Sequence, residues 1–546
     1  MKKIIQIKDT PILNALKCLL ILVFNLYFTS FRGHSQQYKW AKGLPSPLFN
    51  TINSSSISTK GKLLVTGQFQ NTTAFPSGSL ISAGSRDVFI SEYDSNGNNL
   101  WTKRYGGAGY EEPFGIKSMA NGQIMICGQL RGNPIFGNLN ISSKGLNDAF
   151  LLQTDSVGNP LWLQTIGGFQ KDVAFGVDVD SDFNSYVGGF FQDSVSIGGQ
   201  WIKGTGFHNL FVASFNPQGT LRWFHSFASE TDNEILDLDV SSNRVLIAGF
   251  FSGSLQFGNE VYTASGQRDG FLATYDLAGD PNWFMKVGGA REDFLYSVEE
   301  NEKGQIFATG SSMGGSFGNL SFNPTSANWL DAIVLSCDTL GNPVWLTHAG
   351  TSTNHSQGNH LAVGDHSIYV TGTYKGQLAF SNSQTLLSSS GNFDSFTCRF
   401  SLDGQLHWAT KAGSSGDDGT KAISIFHNSI YIAGDAGNGV SFGPITVGLG
   451  GSSNGIVAKL KDTVSMASVG YTRNRNLVNV KFVYTDRGLI LEGFAKKGIL
   501  QLYDFQGRVI NSIKNPEFNS EIPIHWLQPV VLNFMDESGL TTIQRH

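Results

Sequence analysis

Three sets of residues in this sequence have types and spacings that could do chemistry. Gly310-Ser-Ser-Met-Gly314 fits Gly-x-Ser-x-Gly, a pattern that presents a nucleophilic serine when it lies on a strand-to-helix turn. His355 and His360 lie five apart in a polar stretch. A metal ion there would need further converging ligands, and none is near in sequence. The third set is spread over the chain: Asn50, Glu111, Asp172, Asn233, Asp293, His355 and Asp418 each follow a tryptophan by ten residues. If the units that carry them are alike, these seven residues form a ring on one face. The acids Glu111, Asp172, Asp293 and Asp418, with His355, would then offer a binding surface that attracts cations. Asp and Glu at such positions also cap loops by accepting backbone N–H bonds, and both readings stand.

The elements that must position these residues are set by those tryptophans. Trp40, Trp101, Trp162, Trp223, Trp283, Trp345 and Trp408 follow one another at steps of 60 to 63 residues. Regularity of that kind marks a repeated supersecondary unit. Six of them close a turn such as Asp155-Ser-Val-Gly-Asn-Pro-Leu-Trp162. Its Asp accepts backbone N–H bonds, and its Gly supplies a positive φ, so the stretch predicts a tight β-hairpin. A glycine ends a strongly apolar strand 26 or 27 residues after each Trp, as at Gly128 and Gly249. The serine motif occupies the slot filled elsewhere by Gly128-Gln-Leu-Arg-Gly132, so it belongs to the repeat and no catalytic residue is assigned. No phosphate loop, zinc spacing or calcium loop is present, and no metal or cofactor is expected.

Each repeat holds four strands, in the second copy at about 114–119, 123–129, 148–154 and 160–166. A large apolar residue, usually in Phe-Gly, sits between the second and third strands and reads as a plug between neighbouring units. Four-stranded sheets with two apolar faces bury them by packing radially. The expected fold is therefore all-β: a seven-bladed β-propeller. The series opens on a lone Trp strand, 38–42, and ends on a third strand without a fourth, 455–461. The N-terminal strand should close the last blade.

The pattern Gly-x-Phe … Phe-Gly … Asp-x-Phe … Asp-x-x-Gly-x-x-x-Trp resembles the bacterial SBBP-type β-propeller repeat over about 38–462. That resemblance implies an exported or surface protein and no single activity. The Asp-to-Trp segment also resembles the tryptophan-docking motif of quinoprotein dehydrogenases, which have eight blades, but no cofactor-binding set accompanies it. The tail resembles the C-terminal sorting domain of the type IX secretion system of Bacteroidota, through Leu502-Tyr-Asp-x-x-Gly-Arg-Val509, the Ile524/Leu527 segment and the basic Arg545-His546 end. The usual Pro-Asn-Pro opening and the late Gly-x-Tyr are absent. Secretion machinery is the partner this resemblance implies.

Composition agrees with many short strands and tight turns. Of 546 residues 65 are Gly, above the usual ~7%, and 15% are charged. The net charge of −5 comes from mixed signs, which argues against nucleic acid as a partner. Lys2, Lys3, Lys8 and Lys17 precede an apolar run from Cys18 to Phe28, too short to span a bilayer but suited to a signal peptide. Residues 1–35 are read as that signal, cleaved between Ser35 and Gln36, with no transmembrane span in the mature protein. The remaining cysteines, Cys127, Cys337 and Cys398, lie in apolar strands at unrelated repeat positions and imply no disulfide. The domains expected are the propeller at 36–462, a linker at 463–476 and a small β-sandwich-like sorting domain at 477–546. The functional expectation is a cell-surface or extracellular binding or scaffold module for a protein or glycan. The rival is a secreted enzyme acting on glycans through carboxylates on the propeller face.

Overall fold

The computed structural model describes residues 37–228, 231–448, 450 and 453–462, together with seven strands between 480 and 545. The signal-peptide and linker readings, with the Ser35/Gln36 cleavage, lie outside the described residues. Every described element is a strand. Seven four-stranded antiparallel blades follow the tryptophan repeat. Blade 1 runs through Asn50–Ile57, Leu63–Phe69, Asp87–Tyr93 and Asn99–Tyr105. Blade 2 runs through Glu111–Ser118, Ile124–Leu130, Asp148–Thr154 and Pro160–Ile166. Blades 3 to 6 repeat the plan from Asp172, Glu234, Asp293 and Ser356.

Blade 7 has only three consecutive strands of its own, and Gln37–Gly43 supplies the fourth. It pairs antiparallel with Asn454–Lys461, from Gln37 opposite Lys461 to Gly43 opposite Ile456. The ring is therefore closed by the N-terminal strand, as the phase of the repeat requires. Closure matters because an uncovered strand edge pairs with other chains.

Second and third strands are buried along almost their whole length, as in Leu63–Phe69 and Asp148–Thr154. Their side chains meet those of the next blade. One such core joins Met125, Cys127 and Leu151 of blade 2 to Val187, Phe191 and Phe215 of blade 3. The apolar plug behaves as its position suggests. Phe136, fully buried, stacks on Tyr105 of blade 1 at 5.6 Å and packs on Phe150 of its own blade at 5.4 Å. It sits on a two-stranded hairpin, Ile135–Phe136 with Leu139–Asn140. In blades 2, 3, 5, 6 and 7 the hairpin also hydrogen-bonds the end of the preceding blade's outer strand, as Gly106 with Ile135 and Ala412 with Phe442.

The tryptophans link the blades around the rim. The Asp155 side chain accepts the Val157 and Asn159 N–H groups (3.0 and 2.8 Å), and Gly158 has φ 81°. That hairpin comes to rest on Trp101 of the preceding blade. Trp162 in turn donates its indole N–H to Pro217 O of blade 3 (3.1 Å), and Trp40 donates to Ser95 O of blade 1 (3.2 Å). Blade 7 has no such hairpin, because its fourth strand comes from the N-terminus. Asp462 takes its place: it accepts from Trp408 (3.2 Å) and Tyr369 (2.7 Å) and pairs with Arg399 (2.9 Å).

In the tail, 488–493 pairs with 480–485 and 521–523, and 498–503 lies between 509–514 and 531–536, with 541–545 beyond the latter. Leu489-Ile-Leu-Glu-Gly493, Leu500-Gln-Leu-Tyr-Asp504 and Arg508-Val-Ile-Asn-Ser512, runs that read as strands in the sequence, fall on three of these. Asp504-Phe-Gln-Gly507, which reads as an Asp/Gly hairpin turn in the sequence, lies outside the described residues.

Candidate functional site

The inner strand of each blade carries a β-bulge at the same place. In blade 2 the register jumps between Pro113 and Gly115, and in blade 3 between Ala174 and Gly176. A bulge re-aims the chain locally. Opposite it stands the repeat glycine: a Cβ on Gly128 would lie 2.1 Å from Glu112 O. The bulge residues, among them Phe114, Phe175, Tyr296 and Lys421, line a central channel with a cavity of ≈ 480 Å³.

Further along the inner strands one position repeats as Ser56, Lys117, Asp178, Asp239, Glu299, Ala362 and Ser424, and these residues line the same channel. Each inner strand is a sheet edge whose N–H groups need partners. The preceding blade supplies them. Asp178 Oδ2 accepts the Val240 N–H (2.9 Å), Asp239 Oδ2 that of Glu300 (3.0 Å) and Glu299 Oε2 that of Val363 (2.9 Å). Ser56 Oγ accepts from Ser118 (3.0 Å), and Asp237, nearer the bulge, from Val298 (3.0 Å).

Four carboxylates thus share the channel with Lys117 and His360. Lys117 Nζ lies 2.7 Å from Asp178 Oδ1, with 38% of its side-chain surface still open to the channel. Burial opposes its charge, but Asp178, Asp239 and Glu299 outweigh that and hold its pKa above the ordinary lysine range. Burial pushes Glu299 up to about 7, against the Val363 amide and Lys117. Asp239 is raised by burial and by Asp178, and Asp237 by burial against His360. Burial lowers His360 and keeps its imidazole neutral near pH 7, facing Asp237. The cluster can exchange protons and bind a cationic or polar group. None of it was singled out from sequence except His360. The signal was available: Lys117, Asp178, Asp239 and Glu299 each follow a ring position by six residues.

The ring itself lies where the inner strands begin. Glu111, Asp172, Asp293, Asn50 and Asn233 are fully buried and Asp418 nearly so. Asp172 accepts the N–H groups of Gly168 (2.7 Å) and Gln192 (3.2 Å). Asp293 accepts those of Gly289 (2.8 Å) and Met313 (3.2 Å), and Glu111 that of Gly107 (3.0 Å). Their hydrogen bonds are those of loop caps. The sixth position departs from expectation: blade 6 begins one residue later, and Ser356, fully buried, fills it. His355 lies just outside the ring. Its Nδ1 accepts the Leu330 N–H (3.1 Å), and its ring meets the edge of Trp329. His355 and His360 therefore do not converge.

Neighbouring blades pair these caps with the first residue of a third strand: Asp87 with Glu111, Asp148 with Asp172, Asp269 with Asp293 and Asp394 with Asp418. Burial first, then the like charge, lifts Glu111 to about 7, Asp172 to about 8 and Asp293 to about 6. The ordinary values are 4.5 for Glu and 3.8 for Asp. The folded state therefore holds protons that the unfolded state has released. The stability this contributes is complete below about pH 4 and is lost as pH rises through 6 to 8. The melting temperature should fall from pH 5 to pH 9, and Asp172→Asn should flatten that fall. A melting temperature that rises over the interval in the parent protein would contradict the assignment.

Ser312, centre of the Gly-x-Ser-x-Gly match, lies in the strand Ile306–Ser312, with no helix following. Its hydroxyl bonds to Asp293. It therefore joins the Asp293 cap. Cys127, Cys337 and Cys398 are free and buried, and burial pushes the Cys337 thiol up to about 12.

No family model matches the chain. Over 192 residues it is 25% identical to the regulatory protein FlaEY of Caulobacter vibrioides, covering 33% of this chain and 20% of that protein. Over 228 residues it is 22% identical to an uncharacterized WD repeat-containing protein, L264, of Acanthamoeba polyphaga mimivirus, covering 35% and 16%. The chain thus spans a fifth or less of these relatives' own length. Among solved structures, quinohemoprotein alcohol dehydrogenase from Comamonas testosteroni is similar at 11% identity and a TM-score of 0.38, over 82% of this chain and 81% of that one.

Proposed function

We propose that the chain is an exported binding or scaffold module whose propeller presents a loop face to an extracellular glycan or protein. One observation carries the binding reading. Phe169 and Trp201 are 63% and 54% exposed and stack on each other at 5.4 Å and 15°. Lys144 lies over the Trp201 ring at 5.7 Å. The repeat does not need these aromatics. The residues matching Trp201 in other hairpins are Ser79, Asn140, Val261, Ser321, Leu386 and Thr446. Ala108, Ala290, Ser352 and Ser415 match Phe169 in other loops. Large exposed aromatics without a folding role mark contact surfaces. A flat aromatic face beside a lysine suits the C–H face of a sugar ring that carries an acid group.

Export rests on the basic, apolar N-terminus, and surface delivery on the likeness of the tail to a sorting domain. A second reading, a secreted enzyme acting on glycans, draws on the carboxylates and neutral His360 gathered in the channel.

The test is a glycan and protein array probed with the purified full chain, with hydrolysis followed in parallel. Phe169→Ala and Trp201→Ala should each weaken capture at least about tenfold while melting like the parent, because truncating a central aromatic contact costs ~2 kcal/mol or more. Unchanged capture would remove the platform, and product release would favour the enzyme. In the source cell, deleting 477–546 should hold the propeller inside the outer membrane. Normal surface delivery without the tail would remove the sorting reading.

A further inference from the structure

The junction of blades 3 and 4 carries a set of side chains that the others lack. Two neutral amides, Asn209 and Asn233, stand where four junctions have a buried acid pair, as Asn454 and Asn50 do between blades 7 and 1. Beside them stand His208, immediately before the third strand of blade 3, and Asp232 and Glu234, at the start of blade 4. One nitrogen of His208 and one oxygen from each acid lie within 4.8 Å of one another. The six other junctions give the same three places to Arg86, Tyr110 and Glu112, or to Asn147, Lys171 and Val173, or to sets as poor in ligands.

The histidine is held for this geometry. Its ring is sandwiched between Phe190 (4.0 Å) and Phe207 (4.5 Å), and the residue is 9% exposed. Its Nδ1 is 2.8 Å from Asp232 Oδ1 yet outside hydrogen-bonding alignment, so a buried ring nitrogen is left without a hydrogen bond. Two ligand atoms this close, with the imidazole nitrogen poorly aligned for a hydrogen bond, can share a third party between them. The frame around them is fixed. Asn233 donates to His208 O (3.1 Å) and Thr231 O (2.9 Å), tying the two segments together. Arg268 binds Asp232 Oδ2 (2.7 Å) and Glu292 (3.3 Å), leaving Oδ1 turned to His208.

We propose that His208, Asp232 and Glu234 bind one divalent transition-metal ion. One imidazole and two carboxylates suit an ion of the zinc or manganese class, with water completing the shell. The three acids Asp232, Glu234 and Glu292 outnumber the nearby cations Arg268 and Lys171. A bound ion would join blade 3 to blade 4 where the buried acid pair is missing.

The experiment uses the full chain, stripped with chelator and dialysed, and titrates it with Zn²⁺ or Mn²⁺ alone by calorimetry. One ion per chain should bind saturably, raise the melting temperature and be released by chelator. His208→Ala and Glu234→Gln should each lower affinity at least about tenfold, the loss typical of a disrupted metal shell. His348→Ala removes a His–Asp pair of the same 2.8 Å length that belongs to no three-ligand group among the described residues, and should leave binding unchanged. Melting each variant without metal shows whether it folds; if His208→Ala does not, Glu234→Gln decides. No saturable binding of either ion, or parental affinity in the folded variants, overturns the site.

Discussion

Deleting residues 37–43 should open the ring. The deletion removes six backbone-paired positions from the last blade and exposes the edge of Asn454–Lys461. It also removes Tyr38, 4% exposed and packed edge-on to Phe442 at 5.2 Å, and Trp40, whose indole bonds to blade 1. Truncating one core tryptophan costs about 3–5 kcal/mol, and a whole domain is typically stable by only ~5–15 kcal/mol. The truncated chain should melt far below the parent and associate through the open edge. Trp40→Ala should act in the same direction by an amount close to Trp162→Ala, since both indoles dock on the next blade in the same way. Calorimetry and light scattering read both effects. A truncated chain that melts like the parent and stays monomeric would mean the strand contributes nothing to closure.

Gly128→Ala should cost nearly as much from a single methyl group. The new Cβ would meet Glu112 O at 2.1 Å and Pro113 Cα and Phe150 Cε1 at 2.8 Å. The first two are backbone of the bulged inner strand, held by pairing on one side and by the channel on the other. Overpacking a core ordinarily costs 1–3 kcal/mol, and here the backbone rather than a side chain must yield, so a loss of about 3 kcal/mol or more is expected. Because the bulge sets where Phe114 and Lys117 point, the substitution should also disturb the channel. Gly448→Ala is the control, since nothing lies within 4 Å of its Cβ. If the two variants unfold at the same denaturant concentration, the repeat glycine is not there to admit the bulge.

The same glycine shows how sequence and structure divide the information. Its recurrence after every tryptophan is visible in the chain, as are the Asp-x-x-Gly turns, the plug residue and the missing strand of the last repeat. The glycine and the plug are local patterns copied seven times, and the turn six times. A period near 61 residues with strand-length apolar runs leaves radial packing as the way to bury both faces of each sheet. Blade number and closure therefore follow from residues such as Trp40 and Gly158 alone.

The sites do not follow in that way. Lys117, Asp178, Asp239 and Glu299 are about 60 residues apart in succession, and they meet because closure brings every inner strand to one axis. The bulge adds a one-residue shift there, which alternation along a strand does not disclose. Position alone left Asp172 open to two readings, a surface acid that attracts cations or a cap. The structure adds that Asp172 is buried, with its carboxylate on the amides of Gly168 and Gln192. His355 holds the expected place in the count, yet one added residue in blade 6 hands the ring position to Ser356. His208 and Asp232 belong to different blades and are neighbours only across a junction. The repeating local hydrogen bonds and apolar runs were written in the sequence itself. Which unlike residues face one another was decided by the closed ring, because contacts between blades depend on rotation about the axis and on register shifts that no single repeat contains.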